Sequence, residues 1–547
     1  MSDRIPEEKG KISPFRRFIE IFMFLPPVLS LIVESFLGQI KQFFIIGTAA
    51  EAGGDPNFRG RASIAKIDPQ ANVAEVEKAL KKTIHGINGI DGFAFLSERP
   101  RGKEKNEHTV LIKVGVNWGY FGYPTVTSWE SVYAVTKMCL QEAKSREATV
   151  RIIIGDESGM ENKEWLGTTR HNFEHTGILR AAVLAGLEQA ASLETADPDK
   201  FKGAGELLKQ AREGHKVTFD EPGDPLSAQM RQMACQAGVE VVPFDEQECV
   251  TIPIPGRTKS KHFPDGARVP RIVDEEVTDI INLSKPPGRH LIMGNTGLTG
   301  ALKNHVGFIK ADDRSLLHGD WHRFPARKEG QDADSYRRSL TDLGKKISAD
   351  RSGRTGRKFA RSLGVQGKKH ERANHPFHEK MVEIYLAFKD KERFSATDMR
   401  RTVSSLGPDF GDTIDIGAVI AARDPVTLDV LAGAFLKKRY DEIGSWFDAL
   451  KPGGDSFSEW VAGKTWLSRG TPFNLKSHIA ANSYGIGPID VDHIDFQGLE
   501  DSDFRISEIE ALARYLQKGR RGSLFAAFGG QSRARSWGGK NAADNPA

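Results

Sequence analysis

An alternation of strand-like and helix-like segments constrains the fold of this chain more than any other feature. Residues 109–116 (TVLIKVGV) and 150–155 (VRIIIG) are rich in apolar and β-branched side chains and have the length of buried strands. Residues 129–146, between them, place apolar side chains at helical spacing. A strand, a helix and a strand in this order are typical of a parallel sheet covered by helices. Further strands are predicted at 239–242, 279–282 and 412–421, and a further helix at 425–438.

Length and composition agree with a folded protein. The chain has 547 residues, which is long for a single hydrophobic core. We therefore predict an α/β fold with mixed or mostly parallel sheets covered by helices, arranged in two lobes and preceded by a hydrophobic helical segment. The net charge of +4 is too close to neutral to indicate nucleic acid as a partner.

The cysteine pattern limits both the compartment and the cofactors. Cys139, Cys235 and Cys249 are far apart in the sequence and form no CxxC pair. This spacing disfavours a disulfide framework and a cysteine-held cluster. We therefore expect a cytoplasmic protein without an iron–sulfur cluster.

Residues 18–46 form the most apolar stretch of the chain. A membrane-spanning helix needs about 20 apolar residues without charges, whereas the longest uncharged run here is Ile21 to Val33 and contains Pro26-Pro27. Two short amphipathic helices in the membrane interface fit this pattern better, and the membrane surface is the expected partner in a peripheral or monotopic association. The alternatives are a tilted or hairpin-like insertion and a helix docked on the protein's own core or on a partner.

Composition also divides the rest of the chain. The predicted parts are a polar N-terminus (1–17), the apolar segment (18–46), a linker (47–62), an α/β body (63–500), a terminal helix (501–517) and a basic disordered tail (518–547). Two insertions are expected in the body, a polar helical one at about 189–225 and a basic one at about 327–373. The basic insertion is interpreted as a solvated loop, with an anionic membrane or partner surface as the alternative.

Polar side chains follow the predicted strands, where open α/β sheets bind their ligands. Lys113 lies in the first strand and Asn117 follows it, while Lys285 follows a later one. Thr299 and Gly300 open a predicted helix that contains Lys303 and Asn304. A helix start offers unpaired N–H groups and a positive dipole end. These candidate ligand-binding residues therefore predict a site for a phosphate or a carboxylate.

Acidic side chains at the same ends suggest a second chemistry. Asp156, His318 and Asp424 are candidate catalytic acid–base groups. Asp398 and Asp429 are candidate ligands of a hard divalent metal. Asp424 precedes Pro425, an arrangement that also suits a helix N-cap, so a structural role is the alternative.

The order of these motifs resembles the family called domain of unknown function 362. The motifs are Ile112-Lys113 with Asn117, Gly155-Asp156, Lys285, residues 299–307 (TGALKNHVG), His318, residues 424–429 (DPVTLD) and residues 484–487 (YGIG). The resemblance extends from about Thr109 to Gly498. The lysine loop reads KPPGRH where relatives have K-x-K-x-H, and the ferredoxin-like cysteine region of many relatives is missing. The resemblance therefore implies no iron–sulfur role, and it supplies no reaction.

The residues leave open whether the chain is an enzyme. We expect an uncharacterised membrane-associated α/β protein that binds a small anionic ligand, with a divalent metal as a candidate cofactor. The alternative is a non-catalytic scaffold recruited to a membrane or a protein complex.

A short histidine motif stands apart from these residues. Residues 171–175 (HNFEH) place two imidazoles one helical turn apart. Because no third ligand is identifiable, the motif is interpreted as a polar helix face rather than a zinc-protease site.

Overall fold

The structure is a computed structural model. It describes residues 58–88, 95–98, 106–116, 122–158, 168–219, 224–256, 260, 263, 265–287, 300–310, 369–403, 413–442, 481, 484–488 and 494–496. The apolar segment 18–46 and most of the basic insertion lie outside these residues.

The described strands form one eight-stranded sheet and one two-stranded ribbon. The sheet has the order β10-β1-β9-β8-β7-β2-β3-β4. Its strands are β1 (Gly60–Lys66), β2 (Glu107–Lys113), β3 (Thr149–Asp156), β4 (Val239–Pro243), β7 (Asp279–Ser284), β8 (Glu392–Val403), β9 (Thr413–Ala422) and β10 (Ile494–Phe496). The ribbon pairs β5 (Cys249–Ile252) with β6 (Ala267–Pro270).

Most neighbouring strands of the sheet are parallel. β9 is antiparallel to both of its neighbours, β1 and β8. The five other neighbouring pairs are parallel. The α/β fold with a largely parallel sheet is thus as predicted.

Eleven helices accompany the described strands. They are α1 (Val73–Asn88), α2 (Trp129–Ser145), α3 (Thr169–His175), α4 (Ile178–Leu193), α5 (Pro198–Phe201), α6 (Ala204–Arg212), α7 (Pro225–Gln236), α8 (Arg271–Glu275), α9 (Ala301–Asn304), α10 (Lys369–Phe388) and α11 (Pro425–Glu442). A 3₁₀ turn at His305–Phe308 directly follows α9.

The central strands are buried on both faces, as expected for a parallel sheet. Ile112 of β2 packs in a cluster with side chains of α1, α2 and α4. Leu111, one residue earlier, packs on the opposite face with side chains of α10 and of the 3₁₀ turn. The sheet therefore separates two apolar layers.

Strands are added to the sheet on both sides of β2. From β2 the chain proceeds through β3 to β4 on one side, and it later returns to β7 and β8 on the other side of β2. The connections that follow β2 and β7 therefore lead to opposite sides of the sheet, so the carboxyl ends of these strands form a topological switch point, where open α/β sheets form ligand crevices.

Several predicted elements differ from the structure. Strands β1 and β8 were not predicted, and β1 includes Gly60 to Ala62 from the end of the predicted linker. The described strands do not form two lobes, because β2 pairs with both β3 and β7 and so joins early and late strands in one sheet. The polar insertion forms α5 and α6, which pack on α4.

Among the described helices, none combines the length and the apolar character needed to cross a membrane. The three cysteines all lie in described segments and form no disulfide.

Candidate functional site

A buried ion pair lies at the carboxyl ends of β2 and β3. The Nζ atom of Lys113 donates to Oδ1 of Asp156 at 2.6 Å and to the carbonyl of Val114 at 2.8 Å. The other carboxylate oxygen of Asp156 accepts the N–H of Val116 at 2.7 Å. Both charged side chains are 1% exposed. Both oxygens of Asp156 thus have internal donors, an arrangement that suits a structural role, while the catalytic role of Asp156 remains a prediction.

Two asparagines link this pair to β7. Lys113 lies beside Asn282 in the parallel register of β2 and β7. Asn304 donates from Nδ2 to Oδ1 of Asn282 at 2.8 Å and to the carbonyl of Lys113 at 3.2 Å. Its Oδ1 lies 3.5 Å from the Nζ of Lys113. Asn304 therefore holds α9 against the switch point through both ends of its amide.

The two glycines of the TGALKNHVG motif make room for charged groups. A Cβ atom at Gly307 would overlap the Asp156 carboxylate and the Lys113 ammonium group. A Cβ atom at Gly300 would overlap the carboxylate of Asp429. The motif spacing is thus explained by close backbone approach at both positions.

Lys285 brings a second ammonium-bearing side chain to the same edge. It directly follows β7, and its side chain is buried. A Cβ atom at Gly115 would lie 3.1 Å from Oδ1 of Asn304 and 3.6 Å from Cγ of Lys285. Asn304 and the stem of Lys285 are therefore neighbours at Gly115, and Oδ1 of Asn304 also lies 3.5 Å from the Nζ of Lys113.

Asp429 caps the start of α9 from a different helix. Its two carboxylate oxygens accept the N–H groups of Ala301 at 2.6 Å and Leu302 at 3.0 Å. Burial raises the pKa of Asp429 to about 7, although these two hydrogen bonds oppose the shift. The N–H groups of Ala301 and Leu302 at the predicted helix start are thus already bound by a carboxylate of the chain itself.

Asp424 is the N-cap of α11, which also contains Asp429. Its oxygens accept the N–H of Thr427 at 2.8 Å and the hydroxyl of Thr427 at 2.6 Å. Burial raises the pKa of Asp424 to about 6, and the nearby carboxylate of Glu392 adds to the shift. The capping role that the Asp-Pro pair suggested is the role that this geometry supports.

A buried histidine–glutamate pair completes the polar network. Nε2 of His305 lies 2.5 Å from Glu392, whose other oxygen accepts the hydroxyl of Ser395 at 2.6 Å. The hydroxyl of Ser395 accepts from Asn282 at 2.9 Å. Hydrogen bonds thus connect Asp156 to His305 through Lys113, both asparagines, Ser395 and Glu392. Sequence reasoning did not single out His305 as a site residue, although it directly follows Asn304, and Glu392 carried no signal.

Asp398 lies on the other face of the sheet. It accepts from the hydroxyl of Ser128 at 2.8 Å and forms an ion pair with Arg400 at 2.9 Å. Met399, the next residue of β8, packs with Ala301 of α9, and neighbouring side chains of a strand point to opposite faces. Asp398 and Asp429 therefore cannot ligate one metal ion as predicted.

The remaining predicted site residues fall into two groups. Lys303 is half-buried on α9, next to Asn304. Asn117, Thr299 and His318 lie outside the described residues. Within the part of the chain that the structure describes, no three His, Cys, Asp or Glu side chains are grouped to hold a metal ion.

Comparison with known proteins identifies one family. The family model "Domain of unknown function (DUF362)" matches residues 227–434. No curated protein and no solved structure matches the chain significantly. The matched range includes Lys285, Asn304 and Asp424, whereas Lys113 and Asp156 precede it. Residues 227–434 of this chain therefore match the model of the family DUF362, which agrees with the resemblance indicated by the order of its motifs.

Proposed function

We propose that this protein binds a small anion of the phosphate or carboxylate class at the topological switch point formed by the carboxyl ends of β2 and β7. One observation carries the proposal: Lys113 and the stem of Lys285 both lie next to Asn304 at the topological switch point. Such crevices are the usual ligand sites of open α/β sheets, and positive charge favours anionic ligands.

The side chains at this edge have different parts in the proposal. The charge of Lys113 is compensated by Asp156, and Asn304 is held by a hydrogen bond to Asn282, so these residues form the fixed base of the proposed site. Lys285 and the half-buried Lys303 are the proposed direct contacts to the anion. The metal ion considered from sequence is not part of the proposal, since Asp398 and Asp429 lie on different faces.

A panel of anions tests this proposal by thermal unfolding. The panel consists of inorganic phosphate, nucleotides and dicarboxylates, because a ligand at 100 times its dissociation constant stabilises a protein by about 2.7 kcal/mol. We expect at least one anion to raise the melting temperature of the full-length protein. The non-catalytic scaffold predicts no such ligand, so a panel without any stabilising anion would contradict the proposal.

Lys285→Met is the variant that localises the effect. Methionine retains the apolar stem in this buried position and removes the ammonium group. The anion-dependent rise should be lost in Lys285→Met and retained in the matched control Lys144→Met, whose exposed side chain lies at the end of α2 before β3. An equal rise in both variants would place the anion elsewhere.

We also propose that residues 18–46 bring the protein to a membrane surface. The support is the apolar and Pro-interrupted sequence of this segment, preceded by Arg16 and Arg17. Deletion of residues 1–50 should leave a folded body that no longer sediments with anionic vesicles. A truncated protein that aggregates, together with a full-length protein that never sediments with vesicles, would instead indicate packing of the segment on the protein.

A further inference from the structure

Two histidine side chains of α3 lie side by side on the surface. The imidazole rings of His171 and His175 have centroids 5.6 Å apart and planes inclined by only 12°. Both side chains are exposed, and their spacing of four residues places them on one helical face. They are thus arranged as neighbouring donors that face the solvent.

The rest of α3 is fixed to the body of the protein. Thr168 caps the helix by accepting the N–H of His171 at 3.2 Å. Asn172 is fully buried and donates to the hydroxyl of Ser158 at 2.7 Å, just beyond β3. Phe173 is also fully buried, in the core layer that contains α2 and α4. Anchoring on this inner face holds the helix in place while the two imidazoles remain on the outside.

We propose that His171 and His175 form a binding site for a divalent transition-metal ion such as Zn²⁺ or Cu²⁺. Imidazole nitrogen suits these ions, whereas Mg²⁺ and Ca²⁺ prefer oxygen ligands. Zinc–nitrogen bonds of about 2.0–2.1 Å bring two ligating nitrogens within about 4 Å of each other. Rings that already stack one turn apart reach this separation by rotation of their side-chain torsions.

The site is a two-ligand chelate with its other positions open to water. An imidazole ligates through one nitrogen and keeps the other for a hydrogen bond that orients the ring. Existing hydrogen bonds of either ring are therefore compatible with metal binding. The site is separate from the proposed anion site, because it lies on the solvent face of α3.

Calorimetric titration of the full-length protein with Zn²⁺ tests the site. We expect the wild type to show a binding event that His171→Ala and His175→Ala each weaken by about tenfold or more, because a chelate needs both donors. The control His85→Ala removes an exposed imidazole from α1 and should retain the wild-type affinity. Wild-type affinity in either α3 variant, or no zinc binding by the wild type, would overturn the proposal.

A spectroscopic measurement separates ligation from any effect on folding. With one equivalent of Cu²⁺, the electron paramagnetic resonance spectrum of the wild type should show hyperfine coupling to two imidazole nitrogens. The spectrum should lose this pattern in His171→Gln, which keeps a polar side chain at the exposed position. An unchanged spectrum in His171→Gln would rule out the site even if the variant were less stable.

Discussion

Asp156→Asn should lower the free energy of unfolding by about 3–5 kcal/mol, the usual effect of removing one partner of a buried ion pair. The substitution keeps the size of the side chain but leaves the ammonium group of Lys113 uncompensated at 1% exposure. Val114 and Asn304 contribute only neutral oxygens to the surroundings of that group. Chemical denaturation of the isolated variant measures the effect.

A surface pair provides the control for this loss. Glu77→Gln removes the carboxylate that lies 3.2 Å from Lys137, where both side chains are about one-quarter exposed. Exposed pairs contribute only about 0–1 kcal/mol, so this variant should remain close to the wild type. Similar losses in Asp156→Asn and Glu77→Gln would show that the Lys113–Asp156 pair is not buried as described.

The second large effect is a fall in stability with rising pH, caused by two buried carboxyl groups. Burial raises the pKa of Asp429 to about 7 and that of Asp424 to about 6, from the ordinary value of 3.8 for an aspartate side chain. At a pH below the pKa that these carboxyl groups have in the unfolded chain, they are protonated in both the folded and the unfolded protein. Neither group then opposes folding. As the pH rises towards the higher pKa of these groups in the folded protein, the two carboxyl groups lose their protons first in the unfolded chain. Deprotonation therefore favours the unfolded state. Stability should therefore decrease from about pH 4 to pH 7 and then level off.

The variant Asp429→Asn isolates the larger contribution. Each unit of pKa shift corresponds to about 1.4 kcal/mol, so Asp429 alone accounts for several kcal/mol over this range. Asparagine does not titrate, although its amide has only one oxygen in place of the two that accept the N–H groups of Ala301 and Leu302. The stability difference between wild type and variant should consequently change with pH by several kcal/mol. A constant difference from pH 4 to pH 8 would contradict the raised pKa of Asp429.

The sheet could be predicted wherever its strands are apolar. The runs around Leu111 and Ile153 predicted β2 and β3, and helical spacing predicted α2 almost to the residue. Strand β8 was not recognised because it contains buried polar side chains, including Thr397, Asp398 and Arg400. Asp398 and Arg400 pair with each other, and they also contact Ser128 and Glu130 at the start of α2. These contacts form only in the folded chain, so the sequence of β8 alone resembles an exposed segment.

The sequence predicted only those features of the site that follow from the positions of the strand ends. The rule for carboxyl ends predicted that Lys113, Asp156 and Lys285 lie at one edge of the sheet, and the first two are in contact there. A common ligand site of the three remains a prediction. The rule did not indicate that Asp156 compensates Lys113, nor that Asp429 occupies the start of α9. Pairing of His305 with Glu392 joins residues that are 87 positions apart. Such contacts depend on the folded chain and leave no periodic signal in the sequence.

The position of a bound anion tests the central claim most directly. Arsenate has the shape and charge of phosphate and scatters X-rays anomalously, so crystals of the full-length protein grown with it would locate the site. The proposed function predicts an anomalous peak beside the ammonium group of Lys285, within about 4 Å as for other charged pairs, between the ends of β2 and β7. Peaks found only at other positions, in crystals that contain bound arsenate, would contradict it.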